Sequence, residues 1–207
     1  MIAIAETQGS QIKSKLTYEQ FVGLRLTDGR YEFVDGEIVK VVNTRQHEDV
    51  IAFAYKKFDQ EIDKLNLDFV VRQNVSIRTT KSNGAKQSRI PDLSVIDREF
   101  WRSNPSDYSP LQKPIQLAVE VTSNNWDDDY IDKFEEYQRL GIPEYWIVDY
   151  LAIASREFLG NPKIPTVFVN LLDENGKYQT SKFTGEDKII SRTFPELDLT
   201  AAEILNI

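Results

Sequence analysis

The segment from residue 115 to residue 149 constrains the fold more than any other part of this sequence. Residues 115–121 form an apolar run that predicts a buried strand. Residues 127–140 carry aromatic side chains at helical spacing and are followed by Gly141, so they predict a helix. Residues 144–148 are almost entirely apolar and predict a central strand. Because a strand–helix–strand unit favours a right-handed crossover between parallel strands, this segment predicts an α/β fold.

The rest of the chain carries weaker periodic patterns. Further helices are predicted over residues 16–27, 46–65 and 195–205. Further strands are predicted over residues 31–34, 37–42, 69–77, 93–96, 166–172 and 178–183. Polar residues 79–88 predict a mobile loop, and residues 98–114 predict an irregular connection. Together the elements predict an α/β protein with a central mixed β-sheet, flanked by the helices 46–65 and 127–140.

Length and composition limit the domain organisation and the kinds of site. A chain of 207 residues is long enough for a single domain, expected over residues 16–207 after a flexible leader, residues 1–15. The chain has no cysteine, which excludes disulfides, thiolate metal sites and a cysteine nucleophile. It also lacks an uncharged apolar run near the ~20 residues that a membrane span requires. Because a chain without cysteine fits a reducing compartment, we expect a cytoplasmic protein.

The single histidine, His47, and the acidic side chains determine which metal the chain could bind. A site with two histidine ligands is impossible within one chain, so oxygen ligands must dominate, which suits Mg²⁺ or Mn²⁺. The net charge of −8 argues against a general nucleic-acid coat protein, because phosphate binding depends on Lys and Arg. An acidic metal cleft with a local basic rim remains compatible with this charge.

Two carboxylates at predicted strands are the clearest chemical signal. Asp92 follows Pro91 at the start of the strand 93–96, and Glu120 lies between Val119 and Val121 in an apolar strand. A carboxylate in such a strand is costly to bury without a partner, and a divalent cation is a natural one. Such a cation could polarise a phosphate and activate a bound water.

Lys133 is the predicted cationic partner in this chemistry. It lies on the helix that follows the Glu120 strand, and Tyr137 shares its face because the two are four residues apart. An ammonium group near the two carboxylates would assist deprotonation of the attacking water or stabilise transition-state charge.

The motifs that carry these residues resemble a known family. They are the sequences at 30–37, 91–92, 120–123 and 141–149, together with Asp129, Lys133 and Tyr137. In this order and spacing they are similar to the Uma family of restriction endonucleases, within the PD-(D/E)XK nuclease superfamily. The resemblance covers roughly residues 16–200, which is nearly the whole chain.

The resemblance implies a restriction-endonuclease-like fold and a role for each matched residue. Asp92 and Glu120 would bind the metal, Lys133 would be the catalytic lysine, and Glu32 would add an acidic site residue. The superfamily lysine usually lies two residues after the acid, on the same strand face, where this chain has Thr122. Lys133 fits a relocation of that lysine to the next helix. The resemblance also implies DNA as substrate and, by analogy, a homodimer.

Simpler structural roles are compatible with each of these residues. Asp92 could cap a turn, Glu120 could pair with a lysine, and Lys133 could be an ordinary solvated helix residue. Glu32 could pair with Arg30 or Lys40 on the hairpin surface. We expect Tyr137 and the histidine at position 47 to have packing or capping roles.

The function predicted is metal-dependent hydrolysis of phosphodiester bonds in DNA by Asp92, Glu120, Lys133 and Glu32. One alternative is a catalytically weak or inactive nuclease-fold protein that binds DNA or another protein. A second alternative is a different metal-dependent phosphoesterase that acts on RNA or on a small substrate.

Overall fold

The structure is a computed structural model that describes residues 15–207. Its strands are β1 Tyr31–Val34, β2 Glu37–Lys40, β3 Phe69–Arg72, β4 Ile77–Thr80, β5 Lys86–Arg89, β6 Leu93–Asp97, β7 Leu117–Val121, β8 Glu144–Asp149, β9 Thr166–Leu172 and β10 Tyr178–Phe183. Its helices are α1 Tyr18–Leu24, α2 Arg45–Leu65, α3 Arg98–Arg102, α4 Lys133–Leu140, α5 Arg156–Leu159 and α6 Ala201–Leu205. A π-helical turn, Asp128–Asp132, leads directly into α4. The predicted leader lies outside the described residues, apart from its last residue.

The strands form two sheets. Six of them lie in the order β10-β9-β8-β7-β6-β3, and four lie in the order β2-β1-β5-β4. Strands β7 and β8 are parallel, with Glu120 opposite Ile147, while β6 runs antiparallel to β7. The predicted crossover around residues 127–140 and the mixed α/β class are therefore confirmed.

The six-stranded sheet buries a core on each face. Residues of α2, among them Val50, Ala54 and Phe58, pack on the face that carries Val119 and Trp146. The opposite face carries Tyr145 and packs against Tyr137 of α4, among other residues. Because side chains alternate along a strand, Glu120 shares the α4 face of β7 with Ala118. The helix α4 also contacts the second sheet, since the Arg139 guanidinium donates to the Thr80 carbonyl of β4 at 2.6 Å.

Two predictions about the second sheet were wrong. The predicted strand 69–77 ends at Arg72 and reaches only the first residue of β4, Ile77, because Asn74, with a φ of 60°, interrupts the extended backbone. Its first half, β3, lies in the six-stranded sheet, and β4 lies in the four-stranded sheet. The loop predicted at 79–88 is the hairpin of β4 and β5, in which Thr80 pairs with Lys86. The protein thus has two sheets where one central sheet was expected.

Polar burial explains why the β5 strand was missed. Its residues Gln87, Ser88 and Arg89 are fully buried, although none is apolar. The Gln87 side chain accepts from the Asp35 amide at 2.8 Å, and the Ser88 and Ser76 hydroxyls lie 2.5 Å apart. The buried polar side chains of β5 are stabilised by hydrogen bonds in place of apolar contacts. The strand therefore lacks the apolar periodicity by which strands are predicted from sequence.

The boundaries of α2 agree closely with the predicted helix 46–65, whereas the helix predicted over 195–205 is formed only at Ala201–Leu205. The segment 98–114, predicted to be irregular, begins with the short helix α3. The Thr17 side chain accepts from the Gln20 amide, and the Gln20 side chain accepts from the Thr17 amide, which together form a capping box at the start of α1. Thr44 caps α2 through the amide of His47. Within residues 15–207, no helix is both long and apolar enough to cross a membrane.

Candidate functional site

A cleft of about 310 Å³ opens where the β1–β2 hairpin faces the ends of β6 and β7 and the start of α4. Its walls include four residues predicted for the site, which are Glu32, Asp92, Glu120 and Lys133. The π-helical turn and the end of β2 also contribute to the walls. The structure therefore brings the predicted residues together around one space, and their roles stay predictions.

Asp92 is buried and accepts hydrogen bonds from four donors. Its Oδ2 lies 2.9 Å from the Nε2 of His47 and accepts from the Val121 amide at 2.9 Å. Its Oδ1 accepts from Arg30 at 3.1 Å and from Asn43 at 3.4 Å. These contacts, which reach across the hairpin, α2 and β7, orient the carboxylate instead of capping a local turn.

Glu120 and Lys133 form a buried ion pair. The Lys133 Nζ lies 3.0 Å from the Glu120 Oε2 and 3.0 Å from the Asp129 Oδ1. Lys133 is 7% exposed, so its interpretation as an ordinary solvated lysine is wrong. The interpretation of Glu120 as the partner of a lysine is correct, and that partner is the lysine predicted for catalysis.

Two tyrosines hold the acidic groups in place. The Tyr137 hydroxyl donates to the Glu120 Oε1 at 2.6 Å, so this residue does more than pack in the core. The Tyr145 hydroxyl donates to the Asp129 carbonyl at 2.9 Å and fixes the π-helical turn against β8. One tyrosine thus orients the Glu120 carboxylate from α4, and the other holds the backbone of Asp129 against the six-stranded sheet.

Glu32 is paired with Arg89, and not with Arg30 or Lys40. Its Oε2 lies 3.2 Å from the Arg89 Nη1, and its Oε1 accepts from the Ile90 amide at 2.9 Å. Its carboxylate reaches the cleft wall, but its closest contacts are structural. The hairpin pairing that the sequence allowed is therefore wrong, because Glu32 points inward from β1.

Burial and the neighbouring charges shift the pKa values of the acidic side chains, downward for Asp92 and upward for Glu120 and Asp129. Burial tends to raise the pKa of Asp92, but hydrogen bonding to His47 and nearby positive charge lower this pKa to about 2. Burial raises the pKa of Glu120 well above its usual value, and the pull of Lys133 is opposed by Asp92 and Asp129. Burial likewise raises the pKa of Asp129 to about 6. Burial tends to lower the pKa of Lys133, but Asp129 and Glu120 raise it.

The acidic side chains of the cleft offer oxygen atoms, which are the ligands that a hard divalent cation prefers. Five carboxylate side chains line the cleft together with only two lysines of the described chain, Lys40 and Lys133. Within residues 15–207, no three acidic or histidine side chains converge tightly enough to enclose a metal by themselves. Mg²⁺ needs no such enclosure, since it commonly binds through one or two carboxylates and keeps several waters. Asp92 and Glu120 are the two carboxylates that this mode would use.

Sequence patterns did not predict a role in the site for His47, Arg30, Asn43 or Arg89. His47 is 45 residues from Asp92 in sequence, and Arg30 is 62 residues from it. No spacing rule joins residues so far apart. The sequence offered only an indirect indication of these residues. A buried Asp needs hydrogen-bond donors, and those donors can come from distant parts of the chain.

The fold and the cleft define a mixed α/β protein with a cleft lined by carboxylates. A similar solved structure is described as the crystal structure of a putative nuclease belonging to DUF820 from Anabaena variabilis ATCC 29413. The two chains are 17% identical with a TM-score of 0.66, over 92% of this chain and 98% of the other. The restriction-endonuclease-like fold is thereby confirmed.

The family can be stated more narrowly. The Uma2 family, described as "Putative restriction endonuclease", matches residues 17–202. This chain belongs to that family, which confirms the resemblance of the motifs around Asp92 and Glu120. No curated protein matches the chain.

Proposed function

We propose that this protein is a Mg²⁺-dependent endonuclease that hydrolyses phosphodiester bonds in DNA, with Mn²⁺ as an alternative ion. The observation that carries the proposal is the meeting of Asp92, Glu120 and Lys133 in one cleft. Membership of a restriction endonuclease family supports a nuclease activity. The five carboxylate side chains that line the cleft supply the oxygen ligands that a metal of this kind prefers.

Asp92 and Glu120 would hold the ion. When bound, such an ion polarises a phosphoryl oxygen, activates water and stabilises the departing oxygen. The protein's own contribution begins with orientation. His47 and Arg30 fix the Asp92 carboxylate, and Tyr137 fixes one oxygen of Glu120.

Lys133 supplies positive charge at the reacting phosphate. Its ammonium is held between Glu120 and Asp129, on the wall of the cleft. Hydrolysis adds the hydroxyl of a water to phosphorus and a proton to the leaving oxygen, while the equatorial oxygens gain negative charge. A fixed ammonium stabilises that charge in a site that burial has partly dried.

The proposal is tested by plasmid cleavage with Mg²⁺ or Mn²⁺. Glu120→Gln keeps the size of the side chain but removes the charge that would bind the ion. We expect it to lower the nicking rate by at least ~100-fold, an effect typical of losing a group that acts in the transition state. Glu135→Gln on the exposed face of α4 makes the same chemical change away from the cleft. We expect Glu135→Gln to cleave at the wild-type rate. A chelator should stop cleavage by this variant and by the wild-type protein.

Three outcomes would count against parts of this proposal. Cleavage that persists in Glu120→Gln would show a contaminating nuclease. Metal binding by calorimetry without any cleavage would favour an inactive nuclease-fold protein that binds DNA or another protein. Faster hydrolysis of RNA or of nucleotides than of DNA would identify a different phosphoesterase.

A further inference from the structure

A second cleft lies beside the candidate active site and is unused by the chemistry above. Its volume is about 310 Å³, and aromatic side chains of α1, β1, α3 and a later loop contribute to its walls. These are Phe21, Tyr31, Trp101 and Tyr108. Ile90 lines both this cleft and the candidate active site, and it lies two residues before Asp92. The two spaces are therefore neighbours that share one side chain as a wall.

Trp101 has open space beside it that a buried tryptophan lacks. It also lines a third cleft, of about 350 Å³, so its side chain stands between two spaces. The Arg72 guanidinium lies over its ring, 5.5 Å from the centroid. Tyr108 is 75% exposed at the edge of the same cleft. Tyr108 and the uncovered part of half-buried Trp101 can therefore both contact a flat ligand, which is the arrangement that proteins use to stack nucleobases.

The polar groups of this aromatic cleft fit a base better than a phosphate. Among its described lining residues, Arg25 and Asp107 are the two charged ones, and their charges cancel. Asn74 and Ser109 add an amide and a hydroxyl that can bond to the edge of a base. A volume near the lower end of the ~300–1,000 Å³ typical of ligand pockets suits one nucleoside rather than a larger cofactor.

We propose that the aromatic cleft binds one unpaired nucleobase of a DNA strand whose backbone lies in the candidate active site. This inference rests on the proposed function for the identity of the strand. A base inside a duplex can enter only after it leaves its stack, which costs free energy that an unpaired base does not have to pay. The protein therefore prefers DNA with an unpaired base close to the scissile phosphate over a fully paired duplex.

Binding of two fluorescent DNA probes tests the inference without cleavage. The probes are one duplex that is fully paired and the same duplex with a single unpaired thymine, and Ca²⁺ replaces Mg²⁺. We expect the wild-type protein to bind the unpaired probe about ten-fold more tightly or better. Tyr108→Ala and Trp101→Ala should weaken binding of that probe by roughly 5- to 100-fold, the usual effect of losing one stacked aromatic ring. Binding of the paired probe should hardly change.

Two further variants separate stacking from folding. Trp101→Phe retains an aromatic face and should keep most of the preference. Tyr55→Ala removes a half-buried tyrosine of α2 that lines none of the three clefts, so it should leave both affinities unchanged. Tyr108 is exposed enough that its loss leaves the core intact.

Equal binding of both probes by the wild-type protein would overturn the inference. So would an equal loss for both probes in the Tyr108 and Trp101 variants. A preference for the unpaired probe without plasmid cleavage would support the base site while the proposed hydrolysis fails. Cleavage without any such preference would contradict the base site alone.

Discussion

Lys133 is the residue at which stability and chemistry depend on the same contacts. Its ammonium contacts two buried carboxylates, Glu120 and Asp129, whose pKa values burial raises. Without that ammonium, the folded protein must either keep a buried charge without its partner or protonate the acid. Both choices cost free energy once the pH exceeds the pKa that these acids have in the unfolded chain.

Lys133→Met should therefore destabilise the fold in a pH-dependent way. We expect the free energy of unfolding to fall by roughly 3–5 kcal/mol at pH 8, as for other broken buried pairs. The loss should be smaller at pH 5, because Glu120 and Asp129 take up protons more readily in the folded variant than in the unfolded chain. Urea unfolding at the two pH values measures this difference.

Lys188→Met is the matched control, because Lys188 forms an ion pair with Asp198 on the exposed surface. It should change stability little at either pH. A loss in Lys133→Met that is the same at pH 5 and pH 8 would contradict the stated origin of the effect.

The sequence allowed the acidic residues of the site to be predicted, but not what holds them. Glu120 was predictable because a charge between two valines needs a partner nearby. The contacts of Asp92 with His47 and Arg30 depend on how α2 and the hairpin pack beside β6. That packing is set by the whole core, so it leaves no local pattern in the sequence.

At the scale of elements, Arg89 connects β5 to the helix that carries the candidate lysine. Its guanidinium forms two bonds of 2.9 Å with the Glu136 carboxylate and a contact of 3.1 Å with Asp128. The Thr79 hydroxyl also donates to Glu136, at 2.6 Å. Arg89 thus holds both α4 and the preceding turn against the four-stranded sheet. The same polar character hid β5 from apolar periodicity, whereas β7 and β8 were predictable from their apolar runs.

A double-mutant cycle tests the coupling of Arg89 with Glu136. Arg89→Met should lower the free energy of unfolding by roughly 3–5 kcal/mol, since it leaves buried carboxylates without a cation. The double variant Arg89→Met/Glu136→Met should lose less free energy of unfolding than the two single variants lose together. The reason is that the double change removes both charges of the pair. Urea unfolding of the four proteins gives the coupling energy, and purely additive losses would refute it.

At the scale of the whole molecule, the net charge of −8 opposes DNA binding. Attraction to DNA must therefore come from individual lysine and arginine side chains close to the cleft. Lys40 lines the cleft from β2, and its ammonium lies 5.9 Å from the centroid of the Tyr31 ring. Lys56 is exposed on α2, outside the clefts described above.

Lys40→Ala should weaken DNA binding and reduce its dependence on salt. If Lys40 contacts one phosphate, the slope of log K against log salt concentration should become shallower by about 1. Fluorescence anisotropy over a range of salt concentrations measures that slope. Lys56→Ala is the control and should preserve it, so an equal change in both variants would indicate a general charge effect.

The π-helical turn before α4 has a consequence for how this chain can vary in length. A π-helical turn contains more residues than an α-helical turn, so it changes which side of the helix each neighbouring residue occupies. Removing one residue between Asp129 and Lys133 would change the angle between their side chains while Arg89 still held Glu136. One codon more or less at this point would therefore change how the turn presents Asp129 to Lys133.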